Sequence, residues 1–198
     1  AEVCSAYNAL LIVDEAHAVG VMGTGLVDQL KIQNRVFARV ITFGKALGLH
    51  GAIIVGSAVL KNYLINFARP FIYSTAMPFS NLVAIKLAYG HLLEHPELST
   101  LLRSKYQLLT ANLPAQGQVR YSHNQSPIQC VFTEGNDLAL QFSMELQNRG
   151  FDIKAIRSPT VAEGKERLRI CIHTYNTDLE ILNLCKHFRQ LTLSSYGT

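Results

Sequence analysis

The feature that most constrains this chain is a run without a polar residue, Ala9-Leu10-Leu11-Ile12-Val13, that breaks off at a carboxylate, Asp14. A strand with one wet face alternates apolar and polar residues. This one does not, and it reads as a strand buried on both faces of a sheet. Two more strand-like runs follow at 36–42 and 52–55, each ending in a glycine-bearing turn. Ala58–Phe67 carries apolar residues at helical spacing, and Arg69-Pro70 stops it because the residue before a proline is driven out of the helical region. Residues 71–74 read as a short strand. Pro78 then opens a helical pattern that Pro96 closes after His95, and a second helix is expected over 97–113.

The remainder has a different rhythm. Ile128–Phe132 reads as a strand, 137–148 as a helix ending at Gly150, and 151–156 and 168–172 as strands. A terminal helix over 178–193 is expected, capped by Asp178. This β-α-β-β-α order describes a compact α+β unit separate from the first sheet. The expected division is 1–95 and 96–198.

With 48% hydrophobic and 16% charged residues among 198, a sizeable core is available and wholesale disorder is excluded. The net charge of +4 comes without a Lys/Arg block, so nucleic acid is not indicated; the mild excess suits anionic small molecules. The four cysteines form no C-x-x-C pair and read as free thiols of a reducing cytoplasm. No signal peptide or membrane-spanning run is recognised, so a soluble, cytoplasmic protein is expected.

Chemistry concentrates at two strand ends. Asp14-Glu15-Ala16-His17 directly follows the first strand, and strand ends of open α/β sheets are where ligands bind. The same four letters occur in helicases, but those need a G-x-x-x-x-G-K-[ST] phosphate loop. Here Arg39 stands where its first glycine belongs, and Ala46 follows Lys45. Taken alone, Asp14 could cap a turn with His17 incidental. Together with Lys45, in Thr42-Phe43-Gly44-Lys45-Ala46-Leu47-Gly48, it supplies what pyridoxal phosphate (PLP) chemistry requires. That is a carboxylate to keep a pyridine nitrogen protonated, and a lysine to condense with an aldehyde and later act as base. His91-Leu92-Leu93-Glu94-His95 fits a zinc-protease pattern, but Pro96 breaks the helix before another carboxylate is reached, and no metal is expected.

The stretches LLIVDEAHAVGVMGTGLVDQ, ITFGKALG, RPFIYSTAMP and IRSPTVAEGKERLRI occur in the order found in α-oxoamine synthases, and the whole chain resembles that family. The resemblance implies an α/β fold of the PLP-dependent transferase type I. Residues 1–95 would be the C-terminal part of the PLP-binding large domain, and 96–198 the small α+β domain. It implies an enzyme that condenses an amino acid with an acyl-CoA and releases carbon dioxide, working as a homodimer with a shared active site. By the same resemblance Asp14 pairs with the pyridine nitrogen, His17 with the phenolic oxygen, and Thr42 with the phosphate, while Lys45 bonds to PLP. Ser74 and Thr75 would reach a neighbouring subunit's phosphate. Arg169 would bind the substrate carboxylate, Thr160 would contact substrate, and Arg157 is a second candidate for the carboxylate.

Two departures from the family pattern leave the substrate open. Leu49-His50-Gly51 stands where a glycine pair is usual after Gly48, and Cys171-Ile172-His173 replaces Ala-Ala-His. Family members also carry roughly another half of chain upstream, which holds a ring-stacking residue and a phosphate turn. This chain by itself is therefore expected to be inactive, and an inactive subunit serving a complete partner is the other reading.

Overall fold

The computed structural model describes residues 1–114, 120–122 and 124–196. The chain divides into two units, Ala1–Ser99 and Thr100–Thr198.

In the first unit, helix α1 (Glu2–Ala6) precedes strand β1 (Ile12–Asp14). The chain then crosses over through α2 (Leu26–Gln29) and a 3-10 turn (Gln33–Arg35) to β2 (Ala38–Thr42). That crossover returns β2 parallel to β1, with Asp14 opposite Val40. Strand β3 (Ala52–Gly56) folds back antiparallel on β2, giving the order β1-β2-β3. Three helices follow: α3 (Ala58–Phe67), α4 (Arg69–Ile72) and α5 (Phe79–Glu94). The Ser57 side chain caps α3 by accepting from Leu60 N. The core of this unit is small: Val19, Ile41 and Phe43, with Leu47, Leu49, Ile85, Tyr89 and Leu92 packed around them. Phe43 meets Tyr89 edge to face, centroids 6.2 Å apart.

Two expectations fail here. The apolar run at 9–13 is not buried on both faces. Only its end pairs as β1, Leu10 and Ile12 are 68% and 60% exposed, and every residue of β3 is exposed. The cause is topological, since β1 has a neighbour on one side only and the unit's small core leaves these faces bare. Residues 71–74 are not a strand either. Pro70 sits in the first turn of α4, where its fixed φ favours helix, and Ala68 O accepts from Phe71 N and Ile72 N at 2.9 and 3.0 Å.

Helix α6 (Glu97–Asn112) leads into the second unit. Its sheet holds β4 (Arg120–Tyr121), β5 (Ile128–Phe132), β6 (Lys154–Ile156) and β7 (Arg167–Cys171) in the order β4-β5-β7-β6, antiparallel throughout. Helix α7 (Gly135–Asn148) lies between β5 and β6, and α8 (Asp178–Tyr196) ends the chain. Strict alternation in β5 and β7 turns Val131, Leu168 and Ile170 inward. There they join Leu109, Phe142, Leu146, Ile181 and Phe188 in a well-buried core. The opposite face, with Arg120, Cys130, Phe132, Lys154, Arg167 and Arg169, stays open within this unit. Among the described residues no helix is long and apolar enough to cross a membrane.

The cap of α8 is Thr177 rather than Asp178. Thr177 Oγ1 accepts from Glu180 N (3.2 Å), and Glu180 accepts from Thr177 N (2.8 Å), a reciprocal capping box. These bonds to Thr177 also hold the Glu180 carboxyl below its usual range. Asp178 instead pairs with Lys105 at 2.6 Å on the surface. Thr177→Ala should therefore cost about 1 kcal/mol in urea unfolding, and Asp178→Ala no more than a surface ion pair, about 0–1 kcal/mol. A larger loss from Asp178→Ala than from Thr177→Ala would return the cap to Asp178.

Candidate active site

β1 and β2 run parallel and end side by side, so the turns after the two strands leave the same edge of the sheet, where ligands of open α/β sheets bind. β1 delivers Asp14, whose Oδ1 accepts from Ala16 N at 2.8 Å. Its other oxygen has no partner among the described residues. The turn continues to an exposed His17. β2 delivers Thr42, then a tight loop in which Gly48 N donates to Lys45 O (3.0 Å) and Leu49 N to Phe43 O (2.8 Å). Lys45 is exposed at the head of this loop. The Thr42 hydroxyl is buried and has no hydrogen-bond partner among the described residues.

The two segments are registered against each other. Gly20, just beyond the D-E-A-H turn, has φ +85°, and a Cβ there would lie 2.5 Å from Ala46 Cβ. Only glycine lets the first turn approach the lysine loop this closely.

Beneath them lies a network that the motif reading overlooked. Glu15, between Asp14 and the histidine, is 1% exposed and paired with Arg39, the second residue of β2. Glu15 Oε1 accepts from Val27 N at 2.8 Å. Arg39 also forks onto Asp28 (3.0 and 3.1 Å) and donates to Thr24 O (3.1 Å). Burial alone would raise the Asp28 carboxyl, but hydrogen bonds from Arg39, Gln33 and Thr24 outweigh it and hold it below the ordinary range. Burial acts to lower the Arg39 value, and the two carboxylates raise it instead. The available signal was a lone arginine in an otherwise apolar strand, which must find a carboxylate if it is buried.

The other expected residues fall elsewhere. Ser74 and Thr75 are exposed after α4, with the Ser74 hydroxyl turned back onto Pro70 O. Arg157, Thr160 and Arg169 belong to the second unit. Arg157 and Thr160 are exposed on the loop after β6. Arg169 is exposed on the open sheet face, opposite Cys130 and Lys154, and lines an open cavity of about 660 Å³ with Lys154, His173 and Glu180. His95 Nδ1 is 3.0 Å from Glu97 Oε1.

Two adjacent strand ends thus carry a carboxylate oxygen, an amine and a buried hydroxyl that have no partner among the described residues, together with an exposed imidazole. Those donors and acceptors fit the pyridine nitrogen, phenolic oxygen, aldehyde and phosphate of PLP. The aminotransferase class I and II family model matches residues 1–188, and the chain belongs to that family.

Within it, the chain is 40% identical over 185 residues to the 8-amino-7-oxononanoate synthase of Emericella nidulans, an alignment covering 88% of this chain and 44% of that protein. Among solved structures, the 8-amino-7-oxononanoate synthase of Francisella tularensis superposes with a TM-score of 0.75 at 27% identity, covering 94% of this chain and 54% of that one. A Sphingomonas wittichii serine palmitoyltransferase, at 21% identity, shares the fold with a TM-score of 0.86 over 98% of this chain and 49% of its own. The expected likeness to α-oxoamine synthases, and the expected type I fold, are borne out. The chain spans about half the length of the curated relatives it matches.

Arg39→Met would leave the Glu15 carboxylate buried without a counter-charge. A loss of about 3–5 kcal/mol in urea unfolding is expected, and a loss below about 1 kcal/mol would show that Glu15 has another partner. Because the Asp28 value is depressed in the folded state, its stabilisation is present above the unfolded-state value and is lost as pH falls through the folded-state value. Asp28→Asn should flatten the acid limb of the stability profile.

Proposed function

We propose that this chain is the C-terminal half of a PLP-dependent α-oxoamine synthase that makes 8-amino-7-oxononanoate. The observation that carries the reading is the placement of Asp14, His17, Thr42 and Lys45 at the ends of two adjacent parallel strands, in a chain whose relatives bear that enzyme's name. The product's name divides at its ketone. C8 with its amino group, and C9, are what alanine keeps after losing its carboxyl group. C1–C7 are a seven-carbon acyl group ending in a carboxylate. The substrates are then alanine and a pimeloyl thioester such as pimeloyl-CoA, giving the amino ketone, coenzyme A and carbon dioxide. We place the reaction in the cytoplasm, in a homodimer; the four free cysteines suit a reducing compartment.

PLP supplies an electron sink for a carbanion at the amino acid's α carbon. Lys45 Nζ would hold the cofactor at its aldehyde carbon, and its amine would serve as the base for the α proton. Asp14 would keep the proton on the pyridine nitrogen, and His17 would donate to the phenolic oxygen. Thr42 donates its otherwise unsatisfied hydroxyl to the phosphate, while Ser74 and Thr75 serve the phosphate of the neighbouring subunit. Arg169 grips the amino acid's carboxylate with its guanidinium fork, with Arg157 and Thr160 beside it.

In this reading the 198 residues alone do not turn over, because they lack phosphate donors that the relatives' additional chain would supply. Charge-assisted bonds of this kind contribute roughly 1.5–3 kcal/mol each.

The test is coenzyme A release from alanine, glycine or serine with acyl-CoAs of graded length, using an enzyme of the relatives' full length that contains this chain. Release should be fastest with alanine and pimeloyl-CoA. Asp14→Asn should bind PLP yet lose at least a hundredfold in turnover, about 3 kcal/mol of barrier. A preference for glycine with acetyl-CoA, or for serine with palmitoyl-CoA, would assign a sister activity. Full turnover by residues 1–198 alone would overturn the half-enzyme reading.

A further inference from the structure

We propose that the open face of the second unit's sheet binds the terminal carboxylate of the acyl donor, with Arg120 and Arg167 as its anion-binding pair. The inference rests on the reading above, in which the acyl group ends in a carboxylate; nothing in that reading uses these two arginines.

Strand register places them. Arg120 on β4 stands opposite Phe132 on β5, Phe132 opposite Arg167 on β7, and Arg167 opposite Ile156 on β6. The next row on this face is Cys130, Arg169 and Lys154. The Arg120 and Arg167 guanidinium carbons lie 4.5 and 4.9 Å from the centroid of the same Phe132 ring, which holds both cations by cation–π attraction. Arg167 Nε donates to Lys165 O (2.9 Å), and its terminal nitrogens have no hydrogen-bond partner among the described residues.

The charge is uncompensated. Among the described residues no carboxylate pairs with Arg120, Arg167 or Arg169; Lys154 alone has one, Asp152 at 2.6 Å. The remaining residues of the chain contain no Asp or Glu. Between the cations lies an apolar floor of half-buried Cys130, Phe132 and Ile156.

A methylene chain with an anionic end fits such a surface better than a fully hydrated anion does. Arg169 and Arg167 are two residues apart on one strand, about 7 Å at the usual rise, and Arg120 lies two strands further across the sheet. A seven-carbon acyl chain bonded next to an amino acid held by Arg169 can reach that pair. The face thus discriminates a carboxylate-ended acyl donor from a neutral one of equal length.

The experiment is two-dimensional NMR of the ¹⁵N-labelled 198-residue chain, titrated with pimeloyl-CoA and separately with heptanoyl-CoA, which differ only in the terminal carboxylate. The Nε–H resonances of Arg120 and Arg167 should shift saturably with pimeloyl-CoA and not with heptanoyl-CoA. Arg167→Gln should abolish the saturable shift at Arg120, and Arg120→Lys should weaken pimeloyl-CoA binding at least fivefold while leaving the melting curve intact. Equal shifts with both thioesters would assign the face to the coenzyme's phosphates and overturn the proposal; no shift with either would overturn it too. PLP trapped on Lys45 in the same sample, with no response at Arg120 or Arg167, would sink this site while leaving the enzyme reading standing. A pimeloyl-specific response without PLP at Lys45 would do the reverse.

Discussion

Arg39 is the one cation in β2, and the candidate site depends on what it holds. Its fork joins Glu15 at the end of β1 to Asp28 in the crossover, so the strand, the D-E-A-H turn and the helix after it are tied at a single guanidinium. The pair is almost fully dry at Glu15, and a dry carboxylate with a well-placed partner resists displacement because losing the partner is so costly. Asp14 and His17 flank the fixed residue and inherit its position. Lys45 is placed from the other side, through the loop after β2 and its close approach to Gly20. His17 and Lys45 are exposed, whereas the buried Glu15–Arg39 pair between the two strands does the holding.

Much of this was legible in the sequence, for identifiable reasons. Most of the second unit was legible because its longer strands and its helices bury one face, so period-2 and period-3.6 patterns survive; β4 was not, since two residues are too short to show alternation. The pairing of Asp14 with Lys45 was legible because two unusual motifs follow two apolar runs. Arg39 stands out as a lone charge in an apolar strand, but nothing local names Glu15 as its partner, because an ion pair across a crossover joins residues 24 apart in sequence. Residues 71–74 misled because apolar and aromatic residues favour strands, while Pro70 had already set the backbone for a helical turn. Thr177 was passed over for Asp178, although T-x-x-E, which spans Thr177 to Glu180, is the better cap signal.

The reading of 9–13 as doubly buried failed for a different reason. The pattern is that of an interior strand, yet the structure leaves β1 at an edge with its apolar side chains in water. A sequence is written for the whole in which it folds, and the relatives are about twice as long as this chain. Among its described residues, the second unit, whose core is closed by its own helices, shows no comparable mismatch between pattern and burial.

The central claim is that the ends of β1 and β2 form one PLP site in which Lys45 is the only lysine placed to bond the cofactor. The most direct measurement is borohydride reduction of the chain with PLP, followed by mapping of the phosphopyridoxyl group among its eight lysines. The account predicts label on Lys45, weakened by Thr42→Val and unaffected by substitution of Lys61 or Lys86. Label spread over exposed lysines, or undiminished in Lys45→Ala, would contradict it.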